Sequence, residues 1–320
     1  MPAPAVAVID IGSNSIKVLI AARAPDGRIG AVFMRTIEAR ISAGISQAQP
    51  KLGEAGMARG IEAIQALLAE TVPHLPQRTA LVATSAVRDA ANGGEFRERV
   101  RAGTGREIRI LSGEEEANLI GRGLLCDPLL SHLQDFYVFD LGGGSLECLA
   151  FANRRIDRAA SLPLGCVRLT ERFVADPAQP FDPAAATAIA AHVRDTLARA
   201  GFSFAAAAPV VGAGGTLTTA GKILAERGGE ANPDQNDARL TIAQLRDLLA
   251  RIGALPLAER RKVPGLPAER ADVFPAALAT LIAVSEIGGF DSFQHSLYNL
   301  RWGVAAEELD AISSAPAASR

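Results

Sequence analysis

Two short segments of the chain place a carboxylate in the same local setting. Residues 8–17 and residues 138–147 each read as an apolar run, an Asp, one apolar residue, a turn of small residues and a second apolar run. This pattern predicts a β-hairpin with a tight Gly/Ser loop, in which Asp10 or Asp140 ends a buried strand. Gly and Ser let the backbone approach a ligand, so the loop amides are left free to form an anion nest suited to phosphate.

An Asp in such a place can instead cap its own loop through an Asx turn. For one hairpin the two interpretations are about equal, but two matching hairpins favour a functional role, because chance rarely repeats the arrangement. We therefore expect two half-domains that face one phosphate-and-metal cleft. The candidate phosphate-binding residues are Asp10, Gly12, Ser13, Asn14, Ser15 and Lys17 in the first hairpin, and Gly142, Gly143, Gly144 and Ser145 in the second.

Glu147 follows the second glycine loop. In an extended strand Leu146, Cys148 and Ala150 share one face, and Glu147 points to the other. It could be an exposed strand carboxylate, but its place beside Asp140 favours contact with a metal ion or water. Carboxylates with open positions suit Mg²⁺ or Mn²⁺, which take hard oxygen ligands and keep several waters.

A run of three glutamates opens a predicted helix. Ser112 and Glu115 have the spacing of a capping box, and acidic residues in a first turn favour the helix dipole. These effects explain the first two glutamates. Glu116 lies instead on the inward stripe, because its i+3 and i+4 partners are Leu119 and Ile120. A buried carboxylate needs a partner or a role, and general base for a nucleophilic water is a reasonable one.

A third glycine loop lies between a predicted strand and a predicted helix, at residues 210–217. It could be only a tight turn with Thr216 near the helix N-cap. Together with the two hairpins, it is a candidate third wall of the cleft, with Gly214, Gly215 and Thr216 near phosphate.

Arg88 has two open interpretations. It lies one turn into a helix that starts near Ser85, so it could be solvated while Ser85 caps the helix. In a phosphate cleft it could instead reach an anionic oxygen. The four histidines are scattered without ligand spacing and receive no function.

Composition narrows the class of protein. The chain has 320 residues, of which 48% are hydrophobic and 21% charged, with a net charge of −2 and a pI near 6.1. These values favour a large core and argue against a dedicated nucleic-acid binder. Three cysteines without CxxC spacing indicate buried reduced thiols rather than disulfides or zinc. No signal peptide and no apolar run of membrane length are predicted, so a cytoplasmic protein that contacts no membrane is expected.

The elements that must position these residues come in two rounds. Strands are predicted at 6–10, 16–22 and 30–40, then helix and strand alternate, with a helical stretch at 85–100 broken at Asn92, Gly93 and Gly94. A similar round starts at residue 137. The order predicts an α/β protein of two similar halves, residues 1–124 and 125–299. A helix at about 300–312 would pack back on the first half, and residues 313–320 would form a disordered tail.

Four further segments give the chain a family resemblance. The two hairpins are shared across the actin-like superfamily, but these segments resemble the exopolyphosphatase / guanosine pentaphosphate phosphatase (Ppx/GppA) family specifically. The resemblance runs to about residue 310 and implies two actin-like (ribonuclease H-like) domains facing a central cleft. The segments are residues 83–90, 112–117, 161–171 and 265–273.

The resemblance also implies roles. Glu116 would be the catalytic base, and Asp140 and Glu147 would hold the metal and the attacking water, with Glu116 completing the metal site. Gly143, Gly144 and Ser145 would bind one phosphate, and Ser13, Asn14 and Ser15 another. Longer members carry a C-terminal helical domain that this chain stops before, so a short form is expected. Residues 300–303 depart from the usual family sequence.

The expected function is release of terminal orthophosphate from inorganic polyphosphate, guanosine pentaphosphate or both, with Mg²⁺ or Mn²⁺ as cofactor. Family members are often dimers, so a homodimer is expected. Two alternatives remain open: an actin-like ATP-dependent kinase, and a non-catalytic sensor of guanosine tetraphosphate or pentaphosphate. The glutamate run is unexpected for a kinase, and a sensor would release no phosphate.

Overall fold

Two mixed β-sheets with packed helices make up the structure, a computed structural model that describes residues 4–205, 208–228 and 239–314. The predicted α/β class is confirmed. The strands are β1 (Ala5–Ile11), β2 (Ile16–Arg23), β3 (Ile29–Ile37), β4 (Arg78–Ala83), β5 (Ile108–Ile110), β6 (Phe136–Leu141), β7 (Leu146–Ala152), β8 (Arg155–Leu162), β9 (Val210–Ala213), β10 (Arg239–Thr241) and β11 (Ser292–His295). The α-helices are α1 (Glu54–Thr71), α2 (Ser85–Arg88), α3 (Gly93–Thr104), α4 (Gly113–Leu125), α5 (Cys166–Phe173), α6 (Pro183–Arg199), α7 (Gly215–Gly228), α8 (Ile242–Gly253), α9 (Leu257–Arg260), α10 (Phe274–Gly288) and α11 (Leu300–Ser314).

The same strand order occurs in both sheets. In the first sheet the order is β3-β2-β1-β4-β5, with β1, β2 and β3 antiparallel and β4 and β5 parallel to β1. In the second sheet β8-β7-β6-β9-β11 repeats these relations, and β10 adds an antiparallel edge strand. The prediction of two similar halves is therefore confirmed at the level of strand order and direction.

The chain divides into two compact units. The first contains the residues up to Ala43, Lys51–Pro128 and the residues from Tyr298 onward. The second contains Gly44–Pro50 and Leu129–Leu297. No helix in the described part of the chain is both long and apolar enough to cross a membrane.

Helix α11 packs on α4 and β1 inside the first unit, with its backbone against that of α4. A Cβ atom on Gly303 would lie 1.8 Å from the carbonyl oxygen of Leu119, and one on Gly123 would lie 2.1 Å from that of Asn299. Only glycine fits at these two positions, because both obstacles are backbone atoms. The sequence of residues 300–303 thus has a packing function in this chain.

Two local predictions were wrong. The predicted break in the helical stretch occurs earlier than expected: it covers residues 89–92 and so includes Asn92, whereas Gly93 and Gly94 begin α3. Gly93 is needed there because a Cβ would lie 2.1 Å from the carbonyl oxygen of Val87. The predicted disordered tail starts too early, since Ser313 and Ser314 are the last residues of α11. Residues 315–320 lie outside the described part of the chain.

The packing of α4 on α11 leads to the first testable prediction. Gly303→Ala should lower the free energy of unfolding by about 3 kcal/mol or more, because a methyl group there forces the two helix backbones apart. The matched control is Gly221→Ala in α7, where an added Cβ meets no atom within 4 Å. The control should be neutral or gain up to about 1 kcal/mol from helix propensity. Urea denaturation measures both, and a loss below about 0.5 kcal/mol for Gly303→Ala would contradict the proposed backbone contact.

Candidate active site

In the loop of the second hairpin the carbonyl groups accept hydrogen bonds, whereas three backbone amides donate to no described residue. Its turn is closed by the Gly142 amide, which donates to the Ser145 carbonyl at 3.0 Å. The loop carbonyls accept hydrogen bonds from the start of α5, through Cys166 N to Gly142 O (3.0 Å), Val167 N to Gly143 O (2.8 Å) and Arg168 Nε to Gly144 O (3.0 Å). The amides of Gly143, Gly144 and Ser145 donate to no described residue. This arrangement is suited to binding an anion.

Gly165 explains why the start of α5 can lie so close to this loop. A Cβ on Gly165 would lie 2.3 Å from the carbonyl oxygen of Gly143. The segment at residues 161–171, singled out in the sequence, therefore supports the second glycine loop.

Asp140 and Glu147 lie directly opposite each other in the pairing of β6 with β7. Both are buried, and opposite residues of an antiparallel pair point to the same face with Cβ atoms about 4.5–5.5 Å apart. The hydroxyl of Ser161 in β8 donates to Glu147 Oε1 at 2.8 Å. Two negative charges at this spacing repel each other, and a cation bound by both carboxylates would reduce that repulsion.

The first hairpin resolves the same problem differently. Asp10 lies opposite Lys17 in the pairing of β1 with β2, so its partner is a cation. Burial raises the pKa of Asp10 above its ordinary value, and the charges of Lys17 and Arg301 oppose that rise. Arg301, in α11, also donates from Nη1 to the Val18 carbonyl at 3.2 Å. No local sequence pattern indicates this contact, because residues 300–303 differ from the usual family sequence without suggesting a partner.

The loop of the first hairpin repeats the geometry of the second. The Gly12 amide donates to the Ser15 carbonyl at 3.1 Å, and the carbonyls of Ser13 and Asn14 accept from Ser42 and Arg40. The Ser13 and Asn14 amides donate to no described residue. These predicted phosphate-binding residues are therefore brought together with Gly12 in one turn.

The Asn14 side chain is held by a residue that sequence reasoning missed. Its Nδ2 donates to Glu38 Oε2 at 2.8 Å, while its buried Oδ1 has no hydrogen-bond partner among the described residues. Glu38 follows β3, and no spacing rule connects it to the hairpin loop. The orphaned oxygen marks this loop as a place where a further donor would be accommodated.

The third glycine loop touches Asp140. Gly214 has a φ of +90°, and a Cβ there would lie 2.3 Å from Asp140 Oδ1. At Gly215 a Cβ would lie 2.0 Å from Nη1 of Arg270, so that guanidinium lies directly against the start of α7. The predicted residues Gly214, Gly215 and Thr216 are thus grouped with Asp140 in the second unit.

His295 fixes the same loop from the other side. Its Nε2 lies 3.1 Å from Thr218 Oγ1, and that hydroxyl donates to the Gly214 carbonyl at 3.1 Å. Burial lowers the pKa of His295 to about 4, so the ring is neutral near pH 7. No histidine was expected to have a function, and Thr218 and His295 are 77 positions apart, so no local sequence pattern indicates their contact.

Glu116 is buried in the first turn of α4, as the helical spacing predicts. Nη1 of Arg88 donates to Glu116 Oε2 at 2.6 Å and to the Leu111 carbonyl at 3.1 Å. Neither sequence interpretation of Arg88 includes this ion pair, and contact between Arg88 and a phosphate oxygen stays a prediction. It offsets the cost of burying the Glu116 charge and fixes the direction of the carboxylate.

The neighbouring glutamate has the structural role that the sequence predicts. Glu115 and Ser112 form a capping box at the start of α4, and Glu115 is exposed beside Arg109. The two glutamates are therefore distinguished by burial, although they are adjacent in the chain.

Two of the predicted metal residues, Asp140 and Glu147, have the chemistry of ligands for a divalent cation. Asp140 and Glu147 offer hard oxygen ligands at one place, which fits Mg²⁺ or Mn²⁺. Within residues 4–205, 208–228 and 239–314, no group of three His, Cys, Asp or Glu side chains is arranged to hold a metal. A cation bound by Asp140 and Glu147 would therefore take its other ligands from water and from a phosphate group.

Comparisons with known proteins identify the family. The sequence profile of the Ppx/GppA phosphatase family matches residues 19–312. The crystal structure of an exopolyphosphatase from Cytophaga hutchinsonii superposes with a TM-score of 0.86 at 22% identity, over 96% of this chain and 98% of that one. The Ppx/GppA family member from Aquifex aeolicus superposes with a TM-score of 0.77 at 25% identity, over 99% and 100%. With its repeated sheets and this match, the chain belongs to the Ppx/GppA phosphatase family and has the actin-like fold of its members.

Proposed function

We propose that this chain is a phosphohydrolase that releases terminal orthophosphate from a linear phosphoanhydride chain, either inorganic polyphosphate or guanosine pentaphosphate. The observation that carries the proposal is the second hairpin. It combines three amides that donate to no described residue with two buried carboxylates that lie opposite each other. A phosphate group bound by the amides and a divalent cation bound by the carboxylates fit this arrangement together, because the amides donate to an anion and the carboxylate oxygens are hard ligands for a cation.

The glycine loops would bind phosphate groups. The amides of Gly143, Gly144 and Ser145 would donate to the oxygens of one phosphate, and those of Ser13, Asn14 and Ser15 to those of another. The buried loops give these dipoles a fixed direction, so little reorganisation is needed as charge builds on the phosphoryl oxygens. Lys17 and the start of α7, with Gly214, Gly215 and Thr216, would add positive potential.

Asp140 and Glu147 would hold Mg²⁺ or Mn²⁺. A divalent cation there neutralises charge on the phosphoryl oxygens and helps to position the attacking water. Ser161 supports this role, because its hydrogen bond to Glu147 Oε1 restricts the direction of that carboxylate.

Glu116 would act as the general base and accept the proton of the attacking water. Its burial and its 2.6 Å bond to Arg88 support this role, since a base must be held in one direction to receive a proton. Arg88 would be a positioning residue. The metal-binding role that the family resemblance implies for Glu116 stays a prediction.

The same binding groups would serve an actin-like kinase or a non-catalytic sensor of guanosine tetraphosphate or pentaphosphate. A kinase would transfer phosphate from ATP to a second substrate, and a sensor would bind without turnover. The homodimer and the cytoplasmic location expected from the sequence stay predictions.

Phosphate release tests the proposed function. Purified protein should release orthophosphate from polyphosphate, guanosine pentaphosphate or both in the presence of Mg²⁺, and release should stop when EDTA removes the metal. ATP, assayed at the same concentration, should be a poor substrate. Binding without release from any of these compounds would favour the sensor, and phosphate transfer that needs an added acceptor would favour the kinase.

A metal titration tests the roles of Asp140 and Glu147. Asp140→Asn and Glu147→Gln should each raise the Mg²⁺ concentration for half-maximal rate by about tenfold or more, because each removes an anionic oxygen ligand. Mn²⁺ binding, followed by electron paramagnetic resonance, should weaken in parallel. Asp157→Asn changes an exposed carboxylate of the same sheet and should leave both midpoints unchanged. Unchanged midpoints in both active-site variants would refute the assignment.

A further inference from the structure

A pocket of about 540 Å³ lies in the second unit between α5, α6 and the end of β8. Its size falls within the range of small-molecule sites, about 300–1,000 Å³. Four basic side chains line it: Arg168, Arg172, Arg199 and His192. None of the described residues that line it is Asp or Glu. We call it the arginine pocket.

Two of the guanidinium groups that line the arginine pocket carry a charge that no ion pair with a described residue neutralises. Within the described part of the chain, neither Arg172 nor Arg199 forms an ion pair with a carboxylate. The pKa of His192 is lowered, first by burial and then by the charges of Arg172 and Arg199, with a smaller opposing effect of Asp195. The histidine thus reports a positive potential in the pocket.

Arg172 and Arg199 are oriented by contacts with side chains that are not acidic. Arg172 lies over the ring of Phe173 at 5.2 Å and has Nη1 3.4 Å from His192 Nε2. Arg199 Nη2 donates to Thr196 Oγ1 at 3.3 Å. Neutral partners of this kind orient a guanidinium and leave its charge available to an anion.

Arg168 connects the pocket with the second glycine loop. Its Nε donates to the Gly144 carbonyl at 3.0 Å and its Nη1 to the Ile45 carbonyl at 3.1 Å. Arg168 therefore contacts the loop whose amides are proposed to bind the reacting phosphate, and it also lines the arginine pocket. The residues of the loop itself do not line the pocket.

We propose that the arginine pocket is a second anion site of the second unit, which binds the phosphate groups of a short phosphate chain. Three guanidinium groups line one cavity, so an anion with several phosphoryl oxygens fits it better than an anion with a single carboxylate. The phosphates could come from the distal part of a substrate chain or from a separate anion. The choice of phosphate as ligand rests on the proposed function, whereas the presence of an anion site does not.

A site-specific binding experiment tests the proposal without turnover. Tripolyphosphate is titrated into the protein in EDTA while the imidazole resonances of His192 are followed by NMR, with His192→Gln for assignment. These resonances should shift and saturate. In the Arg172→Gln/Arg199→Gln double variant the midpoint should rise by about tenfold or more, because each arginine contributes a charge-assisted hydrogen bond. Arg194→Gln, an exposed position of the same helix, should change the midpoint less than about twofold.

Controls separate folding from binding. The double variant should keep its melting temperature within a few degrees, and Arg172→Lys/Arg199→Lys should recover part of the affinity, because it restores charge. No His192 shift in the wild type, or equal midpoints in wild type and double variant, would overturn the proposal. A shift without phosphate release in any assay would keep the anion site and reject the hydrolase.

Rates distinguish the two sources of phosphate. If distal phosphates of the substrate occupy the pocket, the double variant should raise KM for long polyphosphate several-fold more than for tripolyphosphate. If a separate anion occupies it, added tripolyphosphate should change the hydrolysis of guanosine pentaphosphate in the wild type more than in the double variant. Either result supports an anion site in the pocket, and the absence of both together with an unchanged NMR midpoint would reject it.

Discussion

Burial of carboxylates at the ends of strands and helices is the constraint on which the site depends. A buried charge is costly unless it is paired, and the structure pairs its acids in different ways. Asp10 faces Lys17, and Glu116 is bonded to Arg88. Asp140 faces another acid, Glu147. The two hairpins share one backbone geometry but differ in the residue opposite the Asp, which is Lys17 in the first and Glu147 in the second. For this reason a cation is proposed for the second hairpin only.

Close backbone contacts position these acids. Gly214 approaches Asp140, Gly165 lets α5 support the second loop, and Gly303 lets α11 lie directly on α4, the helix that carries Glu116. A side chain at any of these three glycines would clash with neighbouring atoms and shift the elements that position Asp140 or Glu116. The glycines thus link the packing of each unit to the direction of its carboxylates, and α11 also brings Arg301 to the first hairpin.

The features that could be predicted from sequence are those encoded over short distances. The hairpins follow from period-two apolar strands around a small-residue turn, and the burial of Glu116 follows from helical spacing. The Arg88–Glu116 pair, the His295–Thr218 contact and the arginine pocket join residues from separate elements, so no local pattern indicates them. Gly93 and Gly94 were misjudged because a glycine at a helix start can serve tertiary packing instead of ending a helix.

The proposed role of Glu116 as the general base can be tested with one substitution, Glu116→Gln. The amide keeps the size of the side chain and an acceptor for Arg88 but removes the basicity. Turnover should fall by about 10²–10⁴-fold, while the circular dichroism spectrum and tripolyphosphate binding stay near those of the wild type. Glu115→Gln, at the exposed neighbouring position, should cost little. A Glu116→Gln enzyme with activity within a few-fold of the wild type, at an equal folded fraction, would show that Glu116 is not the base.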